Sequence, residues 1–358
     1  MQAIKNLIRP LGLGIYRFQA KSPLLAFILG RVISMVVILF FLGLAVFGLM
    51  SLSPGDIVEN YVRSQMFMQS ELRQADNVYT EEAIETAKER LGLNLPFYQQ
   101  YFRWLRQVFV EGDLGRSLLA RAPILFLVRD RMVNSLILNL ISLFFLTIIS
   151  FALGIYFSSK VGTKVDIWAT AIALFLHAFP GILLLILLQL FASVSGLFPI
   201  TAYPSFPASE APARFAFSYL YHIFLPLLGA FLGGIGGTMR MIRATMLDQL
   251  GQPYITSLRS RGIGERRIYL AHAFRNTLNP YITSSANLFA SLFSGSLILE
   301  IIFSYPGIGR LMYEAVRQED INLVLANIMF ISFLILFGMI VADIVLALVD
   351  PRIRFSKS

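Results

Sequence analysis

The sequence contains no cysteine, which excludes disulfide bonds and thiolate metal ligands. Its three histidines, His177, His222 and His272, are far apart along the chain, so we expect no metal centre. The motifs Gly-x-x-x-x-Gly-Lys-Ser/Thr, His-Glu-x-x-His and Gly-x-Ser-x-Gly are also missing. The sequence therefore predicts a chain that is not an enzyme, with no catalytic residues, no cofactor and no ATP-hydrolysing site of its own.

Charge is scarce as well. Asp, Glu, Lys and Arg make up 14% of the 358 residues, whereas hydrophobic residues make up 56%. This composition argues against a soluble protein. The net charge of +9 is compatible with nucleic-acid binding, but in a membrane protein basic residues mark the cytoplasmic loops. We therefore favour contact with membrane lipid and expect no nucleic-acid partner.

The charges are clustered, which leaves six apolar stretches with no charge or one over about 20 residues, the length that crosses a bilayer as a helix. They are Leu25–Leu52, Val133–Ser158, Ile167–Val194, Phe217–Met239, Leu278–Ile302 and Ile321–Leu348. The predicted fold is all-α, a polytopic membrane protein with six transmembrane helices. Pro199, Pro204 and Pro207 indicate that the third helix has ended before them, and Pro180-Gly181 should kink it.

Basic residues alternate between connections, as the positive-inside rule requires when both termini are cytoplasmic. The N-terminal arm (1–23) has four basic residues and no acid, and the tail (351–358) is also basic. The fourth connection, 240–277, has seven arginines against two acidic residues. The first connection, 54–131, is nearly neutral, so we expect a long extracytoplasmic segment there. The transmembrane domain then covers 24–350.

The outer segment contains an amphipathic stretch that begins after Pro96. Its apolar residues recur at helical spacing; they are Phe97, Tyr101, Trp104, Leu105 and Val108. Such a face can lie on the membrane surface or against the protein's own spans. We favour packing against the spans, because faces of this kind are usually buried in that way.

The cytoplasmic connection 240–277 contains signals for a short helix. Pro253 suits the first helical turn, where a backbone N–H is not needed, and Gly262 suits a left-handed stop. A helix lying across the cytoplasmic face offers a handle that another protein can grip. The alternative is a basic loop that only anchors the spans to anionic lipid.

The order of residues in this connection resembles the EAA loop of ABC importer permeases, in the form found in the dipeptide/oligopeptide family. The matching residues are Tyr254, Ile255, Gly262, His272, Arg275, Asn276 and Pro280. Leu258 and Ser260 stand where that family usually has two alanines. Other stretches resemble the same family in the same order: 53–56, 91–93, 112–115, 300–311 and 348–354.

The resemblance implies a permease subunit that works with a second permease subunit, two ABC ATPase subunits that bind ATP and Mg, and an extracytoplasmic solute-binding protein. It implies a plasma or inner membrane location and a peptide-like substrate. The residues expected to couple to the ATPase are Tyr254, Ile255, Arg259, Arg261 and Gly262. Residues 54–131 and 304–320 are expected to face the binding protein.

Within the spans, Gly229, Gly233 and Gly237 repeat every four residues, a spacing that lets helices approach closely. The repeat is typical of packing within one subunit, and also of a contact that lines the translocation pathway with a partner. The acids Glu300 and Asp343 also have two interpretations, which are structural pairing and substrate contact. Glu300 and the three glycines are therefore candidate pathway residues.

Two other functional classes stay open. An ion-coupled secondary transporter would favour ionisable groups at the midplane and inverted repeats, and neither is evident. A membrane-embedded enzyme or scaffold would need a catalytic set that the sequence does not offer.

Overall fold

The computed structural model describes residues 23–51, 95–117, 122–278, 281, 292, 296–318 and 320–349. Helices are the regular secondary structure throughout these ranges, apart from one isolated bridge between Arg116 and Pro123. The predicted all-helical fold is therefore confirmed for this part of the chain. The predicted arm up to residue 22, residues 52–94 of the outer region and the tail lie outside the described residues.

Within the described ranges, four long helices have the length and hydropathy of membrane spans, and a bent helix pair brings the number of candidate spans to five. The long helices are α1 (Pro23–Ser51), α3 (Ile124–Ser158), α6 (Pro212–Leu250) and α12 (Ile321–Val349). The bent pair is α4 (Lys164–Ala178) and α5 (Gly181–Ser195). The predicted fifth span, Leu278–Ile302, lies mostly outside the described residues.

The remaining helical segments are short. They are α2 (Phe97–Arg106), α7 (Pro253–Ser260), α8 (Glu265–Arg267), α9 (Phe274–Thr277), α10 (Leu297–Ile302) and α11 (Ile308–Arg317), with π-helical turns at Gln107–Glu111 and Ile268–Ala273.

The third predicted span is not one kinked helix but two separate helices, which meet at 93°. Phe179 has an extended backbone, with φ −72° and ψ 130°, and Pro180 precedes the first residue of α5. A residue before proline is pushed out of the helical region by the proline ring, which explains the position of the break. Helix α5 ends at Ser195 with Gly196 at φ 63°, which confirms that the helix has ended before Pro199.

Two helices are longer than the apolar stretches that predicted them. Helix α6 was predicted over Phe217–Met239, yet it begins at Pro212 and continues to Leu250. Helix α3 begins at Ile124, nine residues before the predicted start at Val133. A charged residue ends the apolar run but not the backbone hydrogen bonding, since Arg and Lys are good helix formers. The first residues of the predicted loop 240–277 are therefore helical.

Contacts divide the chain into two compact units. The first consists of Met1–Asp130 with Met312–Ser358, and there α1 packs against α2 and α12. Tyr101 and Trp104 are buried, and the Tyr101 hydroxyl donates to the Phe40 carbonyl at 2.9 Å. An ideal Cβ on Gly43 would lie 2.6 Å from the Tyr101 ring, so only glycine fits there. The amphipathic face of α2 thus packs against the protein's own spans, as predicted.

The described residues of the second unit, Arg131–Leu311, form three apolar clusters. One joins α3, α5, α6 and α10 around Ile223, Phe303 and Tyr305. A second joins α3, α4 and α6 around Ala173 and Met239. The third lies at the C-terminal end of α6, where the predicted coupling loop begins. This third cluster positions the candidate site.

Candidate functional site: the loop after helix α6

A two-residue turn, Gly251-Gln252, separates α6 from the short helix α7. Pro253 is the first residue of α7, where its missing N–H has no consequence. At the other end Gly262 has φ 75°, its N–H donates to the Arg259 carbonyl at 2.9 Å, and the Ile263 N–H donates to Leu258 at 3.2 Å. These bonds form a left-handed helix stop. The helix predicted between Pro253 and Gly262 is present.

Helix α7 has one fully buried side chain, Ile255. It packs in a cluster with Ile242 and Met246 of α6 and Ile268 and Ala273 of the following π-helical turn, and each of these residues is 0% exposed. Burying an aliphatic side chain of this size contributes about 1.5–3 kcal/mol. The loop is therefore a packed element that continues α6.

Tyr254 adds a polar connection between three helical segments. Its hydroxyl donates to Gln249 Oε1 of α6 at 3.1 Å and accepts from Asn276 Nδ2 of α9 at 3.1 Å. The half-buried ring thus links the end of α6, α7 and α9. Tyr254 and Asn276, both identified by resemblance, are brought together by the fold.

The opposite side of the loop is exposed and basic. Arg259, Arg261 and Gly262 are exposed, and Arg259 binds Glu265 through Nε–Oε1 at 2.7 Å and Nη2–Oε2 at 3.2 Å. Hydrogen bonding to Arg259 lowers the pKa of Glu265 below its usual range and raises the pKa of Arg259. The pair is therefore fully formed above the ordinary pKa of a glutamate and is lost only as the pH falls through the lowered value.

The loop therefore has two faces with different properties. One face is fixed to α6 by Ile255 and Tyr254, and the other presents cationic side chains and the glycine stop to the surroundings. Helix α7 thus shares an apolar cluster with the end of α6, which is 39 residues or about 58 Å long.

The three candidate pathway glycines lie in different surroundings. An ideal Cβ on Gly229 would lie 2.4 Å from Leu185 Cδ2, and one on Gly237 would lie 3.3 Å from His177 Nδ1. Gly233 is exposed, with no atom within 4 Å of its Cβ position. Gly236 makes the tightest approach of α6 to α4, since its Cβ would lie 2.3 Å from the Ala173 carbonyl oxygen.

Glu300 is 1% exposed and lies inside the second unit. Its carboxylate accepts from Ser135 Oγ at 2.7 Å and from the Arg310 N–H at 2.9 Å. Asp343, in the first unit, pairs with Arg31 at 2.8 Å. Both acids thus have partners within the chain. Whether Glu300 also influences the pathway stays a prediction.

An ion pair between Asp166 and Arg243 was not singled out from the sequence. Its two oxygen–nitrogen distances are 2.6 and 2.7 Å, and Asp166 is 4% exposed. The two residues are separated by 77 positions, and no local pattern joins them. In the ranges that the structure describes, no group of three or more His, Cys, Asp or Glu residues is placed to hold a metal ion.

Comparison with known proteins finds a matching family and several similar permeases. The family described as "Binding-protein-dependent transport system inner membrane component" matches residues 148–355, and the N-terminal region of such proteins matches residues 24–141. The chain is 30% identical over 332 residues to the oligopeptide transport system permease protein AppB of Bacillus subtilis, covering 92% of this chain and 99% of that protein. It is 32% identical over 279 residues to the inner membrane ABC transporter permease protein YejB of Escherichia coli O157:H7, 76% of each chain. It is 27% identical over 335 residues to the glutathione transport system permease protein GsiC of Escherichia coli O6:H1, 93% of this chain and all of that protein.

Proposed function

The chain belongs to the family of binding-protein-dependent transport system inner membrane components, and from this premise we propose that it forms half of the translocation pathway of an ATP-driven importer of di- or oligopeptides. The other half comes from a second permease subunit. Two ABC ATPase subunits bind ATP and Mg, and an extracytoplasmic solute-binding protein delivers the peptide. The peptide class is supported by relatives whose names specify peptides, oligopeptides and glutathione.

The proposed topology has six spans with both termini cytoplasmic. The four long helices and the bent pair supply five, and the predicted Leu278–Ile302 supplies the sixth. The alternation of basic and neutral connections supports the orientation. In this orientation the loop after α6 is cytoplasmic, and residues 54–131 and 304–320 are on the outer side, where the binding protein docks.

The observation that carries the proposal is the two-faced loop at the end of α6. We assign Arg259, Arg261 and Gly262 to the ATPase contact, because they are exposed. Tyr254 and Ile255 serve coupling from the inner face, by fixing α7 to α6. Nucleotide-driven movement of the ATPase pair then enters the spans through α7.

Substituting Gly262 with proline should test this assignment. The proline ring holds φ near about −65° and lacks the N–H, so it is incompatible with φ 75° and with the bond to Arg259. We expect recovery of the ATPase subunits by co-purification in mild detergent, and ATP-driven peptide uptake in vesicles, to fall at least about tenfold, the equivalent of 1.4 kcal/mol.

The matched control is Gly264→Ala, two residues away. Gly264 has φ −62° and no atom within 4 Å of its Cβ position, so alanine fits without strain. Equal recovery and equal uptake in wild type and the Gly262→Pro variant would remove the loop from its proposed role. Uptake that continues after ATP depletion and stops when the ion gradient is dissipated would favour a secondary transporter instead.

A second prediction concerns the pathway. Gly233 is the one glycine of the repeat that faces open space among the described residues, so we place it, rather than Gly229, on the pathway lining. A Gly233→Leu substitution should lower uptake with little change in melting temperature, because the new side chain occupies the pathway. Gly229→Leu should lower the melting temperature, because it collides with Leu185. Loss of stability in both variants would contradict a pathway position for Gly233.

A further inference from the structure

The ion pair between α4 and α6 is a bidentate contact that orients both side chains. Arg243 Nε donates to Asp166 Oδ1 at 2.6 Å, and Nη2 donates to Oδ2 at 2.7 Å. The same Oδ2 accepts from the Gly162 N–H at 3.1 Å, and Thr163 Oγ1 accepts from the Asp166 N–H at 3.4 Å. Asp166 therefore fixes the start of α4, the turn before it and one side of α6. A planar guanidinium fork gives such a pair a defined geometry that a single ammonium does not.

The position of Arg243 along α6 connects this pair to the loop. Arg243 directly follows Ile242 and precedes Met246, and both of these residues pack against Ile255 of α7. The same two turns of α6 thus hold α7 on one side and α4 on another. A displacement of these turns moves both attachments together.

A second contact between α4 and α6 lies about 10 Å further along both helices, seven residues at 1.5 Å each. There Gly236 approaches the Ala173 carbonyl so closely that a Cβ would lie at 2.3 Å. Two well-separated contacts prevent α4 from pivoting on α6. Helix α4 and the part of α6 from Gly236 to Arg243 therefore form one rigid pair.

Helix α5, beyond the break, is attached elsewhere. Leu185 packs on Gly229, which precedes Gly236 in α6, and Gln189 Nε2 donates to the Ile302 carbonyl at the end of α10. The attachment of α5 at Gly229 and that of α4 at Gly236 are separated on α6 by a stretch that contains Gly233 and Gly234, and Pro226 lies just before Gly229. Glycine and proline are the residues at which helices bend most readily. The break at Phe179–Pro180 and this glycine-rich stretch thus lie between the same two attachments.

We propose that the Asp166–Arg243 ion pair is a positioning device that makes α4 move with the coupling loop, so that the break before α5 acts as the hinge of the nucleotide-driven movement. The inference deepens the proposed function and rests on it. Asp166 and Arg243 contact neither the peptide nor the ATPase in this proposal. They determine which membrane segment moves together with the loop.

Distance measurements between paired spin labels test this directly, because the chain has no cysteine and every label can be placed at an introduced one. The first pair, Val165→Cys with Met241→Cys, spans the α4–α6 contact at exposed positions. The second pair, Ile172→Cys with Leu190→Cys, spans the break and is also exposed. Both are measured in the complete transporter, first without nucleotide and then trapped with Mg, ATP and vanadate.

We expect the first distance to stay constant on trapping and the second to shift on the order of 5 Å, about one helical turn. In an Asp166→Asn background the first distance should shift, or its distribution should broaden, on trapping. The ATP hydrolysed per peptide imported should rise about tenfold, within the usual range of coupling energies. ATP hydrolysis itself should continue, and a purely structural role of the pair would not change this ratio.

The control is Lys164→Gln, which removes an exposed charge two residues away and should leave both distances and the ratio unchanged. Asp166→Asn combined with Arg243→Gln leaves no charge without a partner, so a folding defect of the single variant should be relieved. If coupling stays impaired in the folded double variant, the inference is supported. It is overturned if the first distance shifts on trapping in the parent, or if the double variant couples normally. Absence of ATP-driven uptake by the parent transporter would instead contradict the proposed function.

Discussion

Replacing Gly307 with alanine should destabilise the protein severely. An ideal Cβ at this position would lie 2.2 Å from the Glu300 carboxyl carbon and 2.3 and 2.4 Å from its two oxygens. The carboxylate has no room to retreat, because it is 1% exposed and accepts bonds from Ser135 and the Arg310 N–H. Leaving a buried hydrogen-bonding group without its partner costs about 1–3 kcal/mol. We expect a melting temperature of the detergent-purified protein lower by several degrees, with reduced yield.

A double-mutant cycle identifies the cause of this loss. In a Glu300→Ala background the carboxylate is gone, so Gly307→Ala should cost much less than it does in the wild type. Gly264→Ala, where nothing lies within 4 Å of the Cβ position, is the control for a glycine-to-alanine change as such. Costs that simply add in the double variant would show that the Glu300 contact is not responsible.

The parts of the fold that the sequence predicted depend on local chemistry. Uncharged runs predicted the stretches that became α1, α3, α6 and α12, since a span must satisfy its backbone hydrogen bonds internally. Pro253 and Gly262 predicted both ends of α7, because each residue type has a specific backbone preference at a helix end. Pro180 predicted the place of the break but not its 93° angle, which depends on what α5 packs against.

Contacts between distant residues were beyond such reasoning. Asp166 and Arg243 are 77 residues apart, and Ser135 and Glu300 are 165 apart, so no spacing rule pairs them. The glycine repeat predicted a close helix approach, but the tightest approach is made by Gly236, which is outside the repeat, while Gly233 faces open space. Spacing identifies a helix face, whereas the neighbour on that face is decided by the tertiary fold.

Replacing Ile255 with glutamate should abolish coupling while the protein still inserts in the membrane. Ile255 is 0% exposed and holds α7 against Ile242 and Met246 of α6. A glutamate there must either bury a carboxylate without a partner, which costs several kcal/mol, or turn outward and release α7. Because burial is so costly, we expect the side chain to turn outward, so that the loop loses its attachment to the spans. We expect ATP-driven uptake to fall at least about tenfold, with recovery of the permease from membranes close to that of the wild type.

The neighbouring residue supplies the control, because Thr256 is exposed on the same helix. Thr256→Glu adds the same charge to the same basic loop without disturbing the cluster around Ile255. If uptake falls equally in both variants, the effect comes from charge at the surface and not from the attachment of α7. If only Ile255→Glu fails, α7 acts through its buried face, since Thr256→Glu adds the same charge to the exposed face without effect. Force applied to the loop then reaches α6 only while Ile255 stays packed.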